Sequence, residues 1–275
     1  MLFVSGASGR MGGAVVRQCG VPCRAGSRKA KPLNPACETA LFDLDDPATY
    51  DTALVGCDAI FLMRPPTTTR RAPFDALLGA ARAAGIGHVI CASVYGAGGS
   101  RVLPHRHMEA AVRDGAIPYT FLRPADFMQN LADVHAGSIR DRDEIAVPAG
   151  EGYSASLDVE DVGHAAAAIL VDRAGHAGRA YDLTGPAALT FEDVAWVLSG
   201  VLDRKITYRA VSVPRFVIEQ TRAGRPLATA LVMAALYSVQ RFGRAAPVRP
   251  DFENLTGQPA GPLAAYLTRE RARFA

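Results

Sequence analysis

A short apolar run, a glycine-rich turn and a helical pattern follow one another over residues 3–16, and this stretch restricts the fold of the chain most strongly. Gly6, Gly9 and Gly12 fall at the spacing G-x-x-G-x-x-G. Glycines so spaced allow a tight turn, close approach of the backbone to a pyrophosphate and close packing of the helix on the strand. The helix that follows offers free N–H groups and the positive end of its dipole to phosphate. A glycine turn between a strand and a helix also occurs in proteins that bind no ligand there. The rest of the sequence must therefore decide between a dinucleotide site and a purely structural turn.

The composition is that of a soluble globular protein. The 275 residues are 49% hydrophobic and 21% charged, which argues against disorder. The net charge of +3, without a long basic run, argues against a nucleic-acid partner. The uncharged run 226–240 is shorter than the roughly 20 residues that span a bilayer, so it predicts a buried helix and no membrane partner. Because the first strand is predicted from residue 2, we expect no signal or transit segment before it.

The cysteines indicate a reducing compartment. They are odd in number, contain no C-x-x-C pair and all lie in the first third of the chain: Cys19, Cys23, Cys37, Cys57 and Cys91. This pattern is typical of reduced thiols and argues against a disulfide framework or a metal site. We therefore expect a cytoplasmic protein without a bound metal.

A second strand, predicted over Cys23 to Ser27, is followed by basic residues. NAD-binding units place an acidic residue about twenty positions after the first glycines, whereas NADP-binding units place basic residues there to accept the 2′-phosphate. No Asp or Glu occurs before position 38. Arg28 offers a planar fork to a phosphate and Lys31 a point charge. The alternative is a solvated basic loop.

The end of a third strand is predicted at residues 41–44. Asp43 at this end is placed to accept a hydrogen bond from an adenine amino group, with Leu44 packing against the ring. Alternatively, Asp43 or Asp45 caps the helix that starts near Pro47.

Strands and helices alternate five times in about 95 residues. The apolar run 59–63 predicts a buried parallel strand that the following prolines end, residues 72–84 predict a helix that Gly85 ends, and residues 88–93 predict a fifth strand. This alternation predicts an α/β fold of the Rossmann type, a doubly wound parallel sheet whose ligands lie beyond the carboxyl ends of the strands. Several residues of interest fall at those ends: Gly6 to Gly12, Arg28, Asp43, Arg64 and Ser93.

Residues 1–200 resemble the NmrA-like branch of the atypical short-chain dehydrogenases/reductases. The resemblance rests on five segments: 5–12 (SGASGRMG), Arg28 with Lys31, His105-x-x-x-Glu109 before 119–130 (YTFLRPADFMQN), 158–162 (DVEDV) and 181–185 (YDLTG). Residues 21–28, 42–43, 189–195 and 199–207 are similar to the ergot-alkaloid reductases of the festuclavine and agroclavine type.

The resemblance implies NADPH as cofactor and assigns residues to each part of it. The pyrophosphate and ribose would be contacted by Gly6, Ser8, Gly9, Arg10, Met11 and Gly12. The 2′-phosphate would be held by Arg28 and Lys31, and the adenine would be flanked by Asp43 and Leu44. The central ribose would lie along Arg64, Pro65 and Pro66. The nicotinamide would be surrounded by Ser93, Val94, Pro124, Ala125 and Phe127. From about Val211 to Arg249 the resemblance assigns no residue.

The usual proton-transfer pair of short-chain dehydrogenases is missing. These enzymes use Tyr-x-x-x-Lys, in which the lysine lowers the pKa of the tyrosine, but none of the three lysines here follows a tyrosine at that spacing. The corresponding segment is His105-x-x-x-Glu109, whose ends share one face of a helix. This pair is interpreted either as a contact that holds the fold or as a functional pair in which Glu109 orients His105 or a ribose. Tyr95 and Tyr153 are further candidate catalytic residues.

The missing pair separates two kinds of acceptor. A carbonyl reductase must protonate a developing alkoxide, whereas hydride addition to an iminium carbon needs no acid at the moment of transfer. Flavin and quinone acceptors also delocalise the charge. We therefore predict an NADPH-dependent reductase of an imine, iminium, conjugated C=C or quinone-like group on a small apolar molecule. The alternative is an NADP-binding redox sensor of the NmrA type without turnover.

Two domains are predicted. Residues 1–155, with a strand near 179–184, would form the NADP-binding domain, and residues 186–275 a smaller, mostly helical substrate lobe. Apolar and aromatic residues of that lobe and of the segment before it suit a lipophilic pocket, although such residues are also ordinary core. A monomer or homodimer is expected.

Overall fold

A computed structural model describes residues 1–29, 37–100, 102–243 and 247–275. The described chain divides into two compact units, each assembled from three stretches. The first unit contains Met1–Pro124, Val159–Leu183 and Pro250–Pro259. The second contains Ala125–Asp158, Thr184–Arg249 and Ala260–Ala275.

Within the described residues, the first unit is built on a seven-stranded parallel sheet with the order β3-β2-β1-β4-β5-β6-β9. Its strands are β1 (Leu2–Val4), β2 (Cys23–Ser27), β3 (Glu38–Leu41), β4 (Ala59–Met63), β5 (His88–Ala92), β6 (Tyr119–Pro124) and β9 (Ala180–Leu183). The strand order reverses between β1 and β4, which is where open sheets of this kind bind their ligands. The predicted doubly wound sheet is confirmed, including the strand near 179–184.

Helices cover both faces of this sheet, as strand–helix alternation requires. They are α1 (Arg10–Gln18), α2 (Tyr50–Leu54), α3 (Ala72–Ala83), α4 (His105–Asp114), α6 (Val159–Val171) and α10 (Asp251–Thr256). Helices α1 and α6 lie close together because Gly163 has no side chain: a Cβ there would lie 2.7 Å from the carbonyl oxygen of Ala14. Arg17 and Gln18 of α1 also donate hydrogen bonds to Glu160 of α6.

The second unit combines helices with short strand pairs. β7 (Glu144–Val147) pairs in parallel with β11 (Thr207–Ala210), and β8 (Tyr153–Ser154) pairs antiparallel with β10 (Leu189–Thr190). The helices are α5 (Ala136–Arg142), α7 (Phe191–Leu202), α8 (Val213–Arg222), α9 (Leu227–Arg241) and α11 (Leu263–Arg269). Residues 125–158 belong to this unit rather than to the first, because Met128, Ile139, Ile145 and Val147 pack in its core.

The sequence prediction for residues 226–240 is correct in one respect and wrong in another. Helix α9 forms there, but it is not buried: Val232 and Leu236 are 62% and 61% exposed. Only small residues of its inner face, such as Ala230 and Ala234, are buried together with Gln240. An apolar run predicts the helix but not how many of its sides are covered. Among the described residues, no helix has the length and apolar character needed to cross a membrane.

Candidate active site

The glycine turn between β1 and α1 has the geometry that the spacing predicts. Gly6 has a φ of +62°, a left-handed conformation that favours glycine. The N–H of Gly9 donates to the carbonyl oxygen of Gly6 at 2.9 Å, and this bond closes the turn. A Cβ at Gly12 would overlap the Gly6 carbonyl group and lie 2.8 Å from the Cα of Ala7. Gly12 therefore lets helix α1 approach the turn closely.

The start of α1 is suited to an anion. Gly9 caps the helix without a side-chain hydrogen bond, and the first turn contains no acidic residue. Gly6, Ser8, Gly9 and Arg10 are exposed, while Met11 is half-buried. Backbone N–H groups at an exposed helix start, without a competing carboxylate, bind phosphate well. This cradle fits the pyrophosphate of a dinucleotide.

Arg28 follows β2 at the same edge of the sheet and is exposed. The hydroxyl of Ser27 accepts a hydrogen bond from the N–H of Lys29 at 3.2 Å, which bends the chain directly after the strand. An exposed arginine at this edge suits a phosphate group. Lys31, the other predicted 2′-phosphate residue, lies outside the described residues.

Strand β3 ends at Leu41, so Asp43 and Leu44 lie in the turn that follows it. The Asp43 carboxylate accepts from the N–H of Asp45 at 3.0 Å. The prediction that Asp43 or Asp45 caps the next helical turn is wrong: Asp46 caps it, accepting from the N–H of Ala48 at 3.1 Å. Asp46 directly precedes Pro47 and is therefore the residue in the capping position.

An open groove of about 440 Å³ lies beside this turn in the first unit. Leu44, only 3% exposed, forms part of its wall, and the other lining residues are Asp45, Pro47, Tyr50, Thr67, Thr68, Thr69, Arg70, Ala72, Pro73 and Ala76. Leu44 also belongs to the hydrophobic core, so this part of the groove wall is continuous with the core of the first unit.

Arg64 organises the loop after β4. Its guanidinium donates to the carbonyl oxygens of Pro65, Pro66 and Thr68 at 3.0, 3.2 and 3.0 Å. These bonds fold the Arg64-Pro65-Pro66 segment back on itself at the carboxyl edge of the sheet. Arg64 therefore shapes the segment to which the resemblance assigns the central ribose.

Glu109 of α4 is a buried carboxylate held by two arginines and a serine. Its side chain is 1% exposed and accepts from Arg123 at 2.9 and 2.8 Å, from Arg113 at 2.7 Å and from Ser93 Oγ at 2.6 Å. Burial by itself raises the pKa of Glu109, but the hydrogen bonds from Arg123 and Ser93 and the arginine charges outweigh it and hold the pKa below the ordinary value. Glu109 is thus an ionised acceptor at neutral pH.

This network fixes the ends of β5 and β6. Ser93 follows β5, Arg123 belongs to β6, and the N–H of Tyr95 donates to the carbonyl oxygen of Pro124 at 2.9 Å. A Cβ at Gly98 would lie 2.6 Å from the Arg123 guanidinium, so this glycine makes room for it. Val94 and Tyr95 are half-buried between these fixed points.

The hydrogen bonds of Glu109 do not orient His105. The half-buried His105 has an Nδ1 atom without a hydrogen-bond partner among the described residues. Burial, and next the charge of Arg64, lower its pKa to about 4, so the imidazole is neutral at pH 7. In this structure the carboxylate of Glu109 is hydrogen-bonded to Arg113, Arg123 and Ser93, and no hydrogen bond joins it to His105.

The remaining predicted residues lie at the end of β6 and in the second unit. Pro124 ends β6 and is buried, and Ala125 follows it. Phe127 forms a β-bridge with Leu157 in the second unit. Tyr153 lies on β8 opposite Thr190 and is 44% exposed.

Sequence reasoning missed a histidine–tyrosine pair in the second unit. His135 Nε2 and the Tyr237 hydroxyl lie 2.7 Å apart, and Phe191 and Phe216 pack edge-on against the tyrosine ring. Burial lowers the pKa of His135 to about 3. The two residues are 102 positions apart in the sequence, and no spacing rule relates them. The Arg113 and Arg123 partners of Glu109 were missed as well, although Arg113 follows Glu109 at i+4.

Comparison with known proteins identifies the relatives of this chain. The model of the NmrA-like family matches residues 1–248. The NAD(P)H azoreductase of Xenophilus azovorans is 32% identical over 285 residues, covering 100% of this chain and 99% of the relative. The (4-alkanoyl-5-oxo-2,5-dihydrofuran-3-yl)methyl phosphate reductase of Streptomyces griseus is also 32% identical, over 287 residues, with 100% and 99% covered. Agroclavine dehydrogenase of Claviceps fusiformis is 25% identical over 282 residues, with 97% and 96% covered, which supports the resemblance to ergot-alkaloid reductases.

Solved structures agree with these relatives. The Citrobacter sp. triphenylmethane reductase complexed with NADP(H) has a TM-score of 0.86 and 26% identity, covering 98% of this chain and 99% of the other. The Escherichia coli quinone oxidoreductase QOR2 complexed with NADPH has a TM-score of 0.85 and 25% identity, with 98% and 100% covered. The chain therefore belongs to the NmrA-like family and, within it, to the NAD(P)H-dependent reductases.

Proposed function

We propose that the protein transfers a hydride from NADPH to an electron-poor unsaturated group of a small apolar molecule. The acceptor class comprises quinone-like, azo, iminium and conjugated C=C groups. The main support for this proposal is that the Glu109 carboxylate accepts hydrogen bonds from Arg113, Arg123 and Ser93. Glu109 lies in the segment where short-chain dehydrogenases have Tyr-x-x-x-Lys.

The cofactor would be held by the residues that the family resemblance assigns to each of its parts. Gly6, Ser8, Gly9, Arg10, Met11 and Gly12 would take the pyrophosphate and ribose, Arg28 and Lys31 the 2′-phosphate, and Asp43 with Leu44 the adenine. Arg64, Pro65 and Pro66 would lie along the central ribose, and Ser93, Val94, Pro124, Ala125 and Phe127 around the nicotinamide. When bound, NADPH supplies a hydride and becomes NADP⁺.

The protein's own contribution is position and electrostatics. Glu109 is ionised and therefore has no proton to give at neutral pH, and the neutral His105 imidazole is a weak acid. A carbonyl substrate would develop an alkoxide that these groups cannot protonate efficiently. A quinone, an azo bond, an iminium carbon or a conjugated C=C spreads the incoming charge over its own atoms, so an acid is not needed at the moment of transfer.

The relatives support this acceptor class. They include proteins named as an azoreductase, a quinone oxidoreductase and a triphenylmethane reductase. The azo, quinone and triphenylmethane groups in these names are all conjugated. For the present chain we propose this class of acceptor.

The proposal is tested by single-turnover mixing of the protein with NADPH and one acceptor at a time, following the loss of reduced-nicotinamide absorbance. A naphthoquinone, an azo dye, a triphenylmethane dye, a cyclic iminium ion and a conjugated enone form the test panel, and a saturated ketone is the control. Oxidation of NADPH by at least one conjugated acceptor, with no oxidation by the ketone, is the expected result. Tight NADPH binding without oxidation by any acceptor would instead favour the redox-sensor alternative.

A further inference from the structure

Two cysteine thiols meet at the start of neighbouring strands. Cys23 is the first residue of β2 and Cys37 directly precedes β3. Arg24 pairs with Glu38 in the ladder, so one residue earlier Cys23 lies opposite Cys37. Their Sγ atoms are 2.7 Å apart, and the Cys37 thiol also lies 3.0 Å from the carbonyl oxygen of Cys23. Both cysteines are free thiols.

A third thiol extends this pair. Cys19 follows the last residue of α1, and its thiol donates to the carbonyl oxygen of Val21 at 3.4 Å. Hydrogen bonding with Cys23 lowers the pKa of Cys19 to about 6 despite burial. The same interaction, together with burial and the nearby Cys37, raises the pKa of Cys23. The three thiols thus form a row with Cys23 in the centre, and the Cys23–Cys37 contact at 2.7 Å is the thiol–thiol hydrogen bond in it.

The other two cysteines have no such neighbours. Cys57 lies in the core of the first unit, and burial raises the pKa of its thiol. Cys91 is fully buried within β5, and burial raises its pKa well above the ordinary value. Among the described residues neither of these two thiols is in contact with another thiol, so neither has a partner for a disulfide, whereas Cys23 and Cys37 touch each other. The described residues therefore concentrate thiol chemistry at Cys19, Cys23 and Cys37.

We propose that Cys23 and Cys37 form an oxidisable dithiol site whose co-substrate is a hydroperoxide. Cys37 is the partly exposed member of the row, whereas Cys19 and Cys23 are 4% and 6% exposed. The sulfur of Cys37 attacks the peroxide oxygen, the O–O bond breaks, and a sulfenic acid and water or an alcohol result. The sulfur of Cys23 then attacks the sulfenic sulfur, the S–O bond breaks, and a second water leaves with the thiol proton. In sum, two thiols are oxidised to one disulfide and the peroxide is reduced by two electrons.

The strands that carry the two thiols are already fixed, so the bond requires only side-chain movement. Arg24 Nε donates to Glu38 at 2.9 Å, and the Arg24 guanidinium also donates to the carbonyl oxygen of Ala53 at 3.1 Å. Adjacent strands lie at a spacing compatible with the Cα separation of disulfides. Cross-linking would close the chain between positions 23 and 37, which contains Arg28. This consequence rests on the proposed function. The disulfide alters the affinity for NADPH because Arg28, which would hold the 2′-phosphate, lies within the closed loop.

The site is tested by treating the reduced, full-length protein with hydrogen peroxide and blocking the remaining thiols with N-ethylmaleimide. The expected result is the loss of two of the five thiols and of two hydrogen atoms in the intact mass, both reversed by dithiothreitol. The cross-link is then located by tryptic mapping without reduction. Residues 18–24 carry both Cys19 and Cys23, and residues 30–70 carry both Cys37 and Cys57, so single variants assign the partners.

Cys23→Ser and Cys37→Ser should each abolish the cross-link, whereas the control variants Cys57→Ser and Cys91→Ala should keep it. A cross-link that persists in Cys37→Ser, or oxidation of Cys37 to the sulfinic acid without any cross-link, would overturn the proposal. NADPH titration of the reduced and oxidised wild type measures the consequence, with a change of at least threefold in Kd expected in the wild type and none in Cys37→Ser. Failure of the reduced protein to bind NADPH would count against the proposed function and leave the thiol result to be judged on its own.

Discussion

The hydroxyl of Ser93 donates to the carboxylate of Glu109 across 2.6 Å in the interior of the first unit. In short-chain dehydrogenases with Tyr-x-x-x-Lys, the corresponding helix supplies a tyrosine and a lysine to the substrate. Here it supplies an anion that is neutralised by Arg113 and Arg123 and turned toward the sheet. At Glu109 the helix thus holds the ends of β5 and β6 together.

Glu109→Gln should destabilise the protein by about 3–5 kcal/mol, because Arg123 would be left half-buried without a counter-charge. Arg113→Ala is the matched control: this arginine is 44% exposed, and its loss should cost no more than about 1 kcal/mol. Urea unfolding measures both. Equal losses in the two variants would contradict the central role of the buried Arg123–Glu109 pair.

The same pair predicts a response to acid. The pKa of Glu109 is lowered in the folded state, so its ionised form stabilises the fold above the ordinary value of 4.5, and that contribution is lost as the pH falls below it. The free energy of unfolding of the wild type should therefore fall more steeply below pH 4.5 than that of Glu109→Gln. Parallel pH profiles would contradict this prediction.

Buried histidines add a second response in a higher pH range. Burial lowers the pKa of His88 from 6.5 to about 4, and His88 Nε2 lies 2.9 Å from the Thr120 hydroxyl. The unfolded chain binds this proton first, so stability decreases as the pH falls from 6.5 to about 4. His88→Gln should flatten the profile by up to about 1.4 kcal/mol per pH unit. Chemical denaturation at a series of pH values tests it, and an unchanged slope would refute it.

Gly12→Ala should impair both folding and NADPH binding, because the added methyl group would overlap the Gly6 carbonyl. Gly79→Ala is its control: this exposed glycine lies inside α3 with nothing within 4 Å of an added Cβ, and its replacement should stabilise the protein by about 0.4–1 kcal/mol. The thermal unfolding midpoints of the two variants should shift in opposite directions, and NADPH titration should show weaker binding in Gly12→Ala and unchanged binding in Gly79→Ala. A fully stable Gly12→Ala variant with normal binding would show that the helix does not need this close approach.

Arg28→Ala should weaken NADPH binding by about 1.5–3 kcal/mol, or about ten- to a hundredfold, because a charge-assisted bond to the 2′-phosphate is lost. NADH, which lacks this phosphate, should bind the variant and the wild type alike. Arg82→Ala, at the exposed end of α3, is the charge-matched control. Calorimetric titration with both cofactors decides the question, and equal NADPH and NADH affinities in the wild type would remove the prediction.

Hydride transfer should not depend on one side-chain acid. His105→Phe, Tyr95→Phe and Tyr153→Phe should each reduce the single-turnover rate less than about tenfold, which is no more than about 1.4 kcal/mol of barrier. A general acid typically contributes about 10²–10⁴. A loss of a hundredfold or more in one variant, with NADPH binding intact, would identify that residue as the acid and favour a carbonyl substrate.

The sequence predicted the sheet well because its signals are local. The bounds of β2 and β4 are those of the predicted segments. Strand β4 is a continuous apolar stretch ended by prolines, as expected of a buried parallel strand. The third strand ends at Leu41, earlier than predicted, because Asp43 and Asp46 place their backbone and side chains in turns. The glycine turn was predicted for the same local reason.

Properties that depend on distant residues could not be read in this way. Spacing brings His105 and Glu109 to one helix face, but the carboxylate of Glu109 binds Arg123 of β6 and Ser93, which follows β5. The His135–Tyr237 pair joins residues 102 positions apart. Helix α9 was recognised from its composition, yet its exposure depends on which elements pack against it.

The division of the first unit among three stretches of chain has a consequence for biosynthesis. Helix α1, which begins at the glycine turn, leaves the ribosome well before its packing partner α6, because Arg17 and Glu160 are 143 positions apart. Strand β9 and helix α10 complete the same unit later still, and its last stretch ends at Pro259. Until α6, β9 and α10 have been synthesised, the sheet of the first unit is therefore unfinished and part of its apolar surface is uncovered, a condition that favours aggregation of a nascent chain.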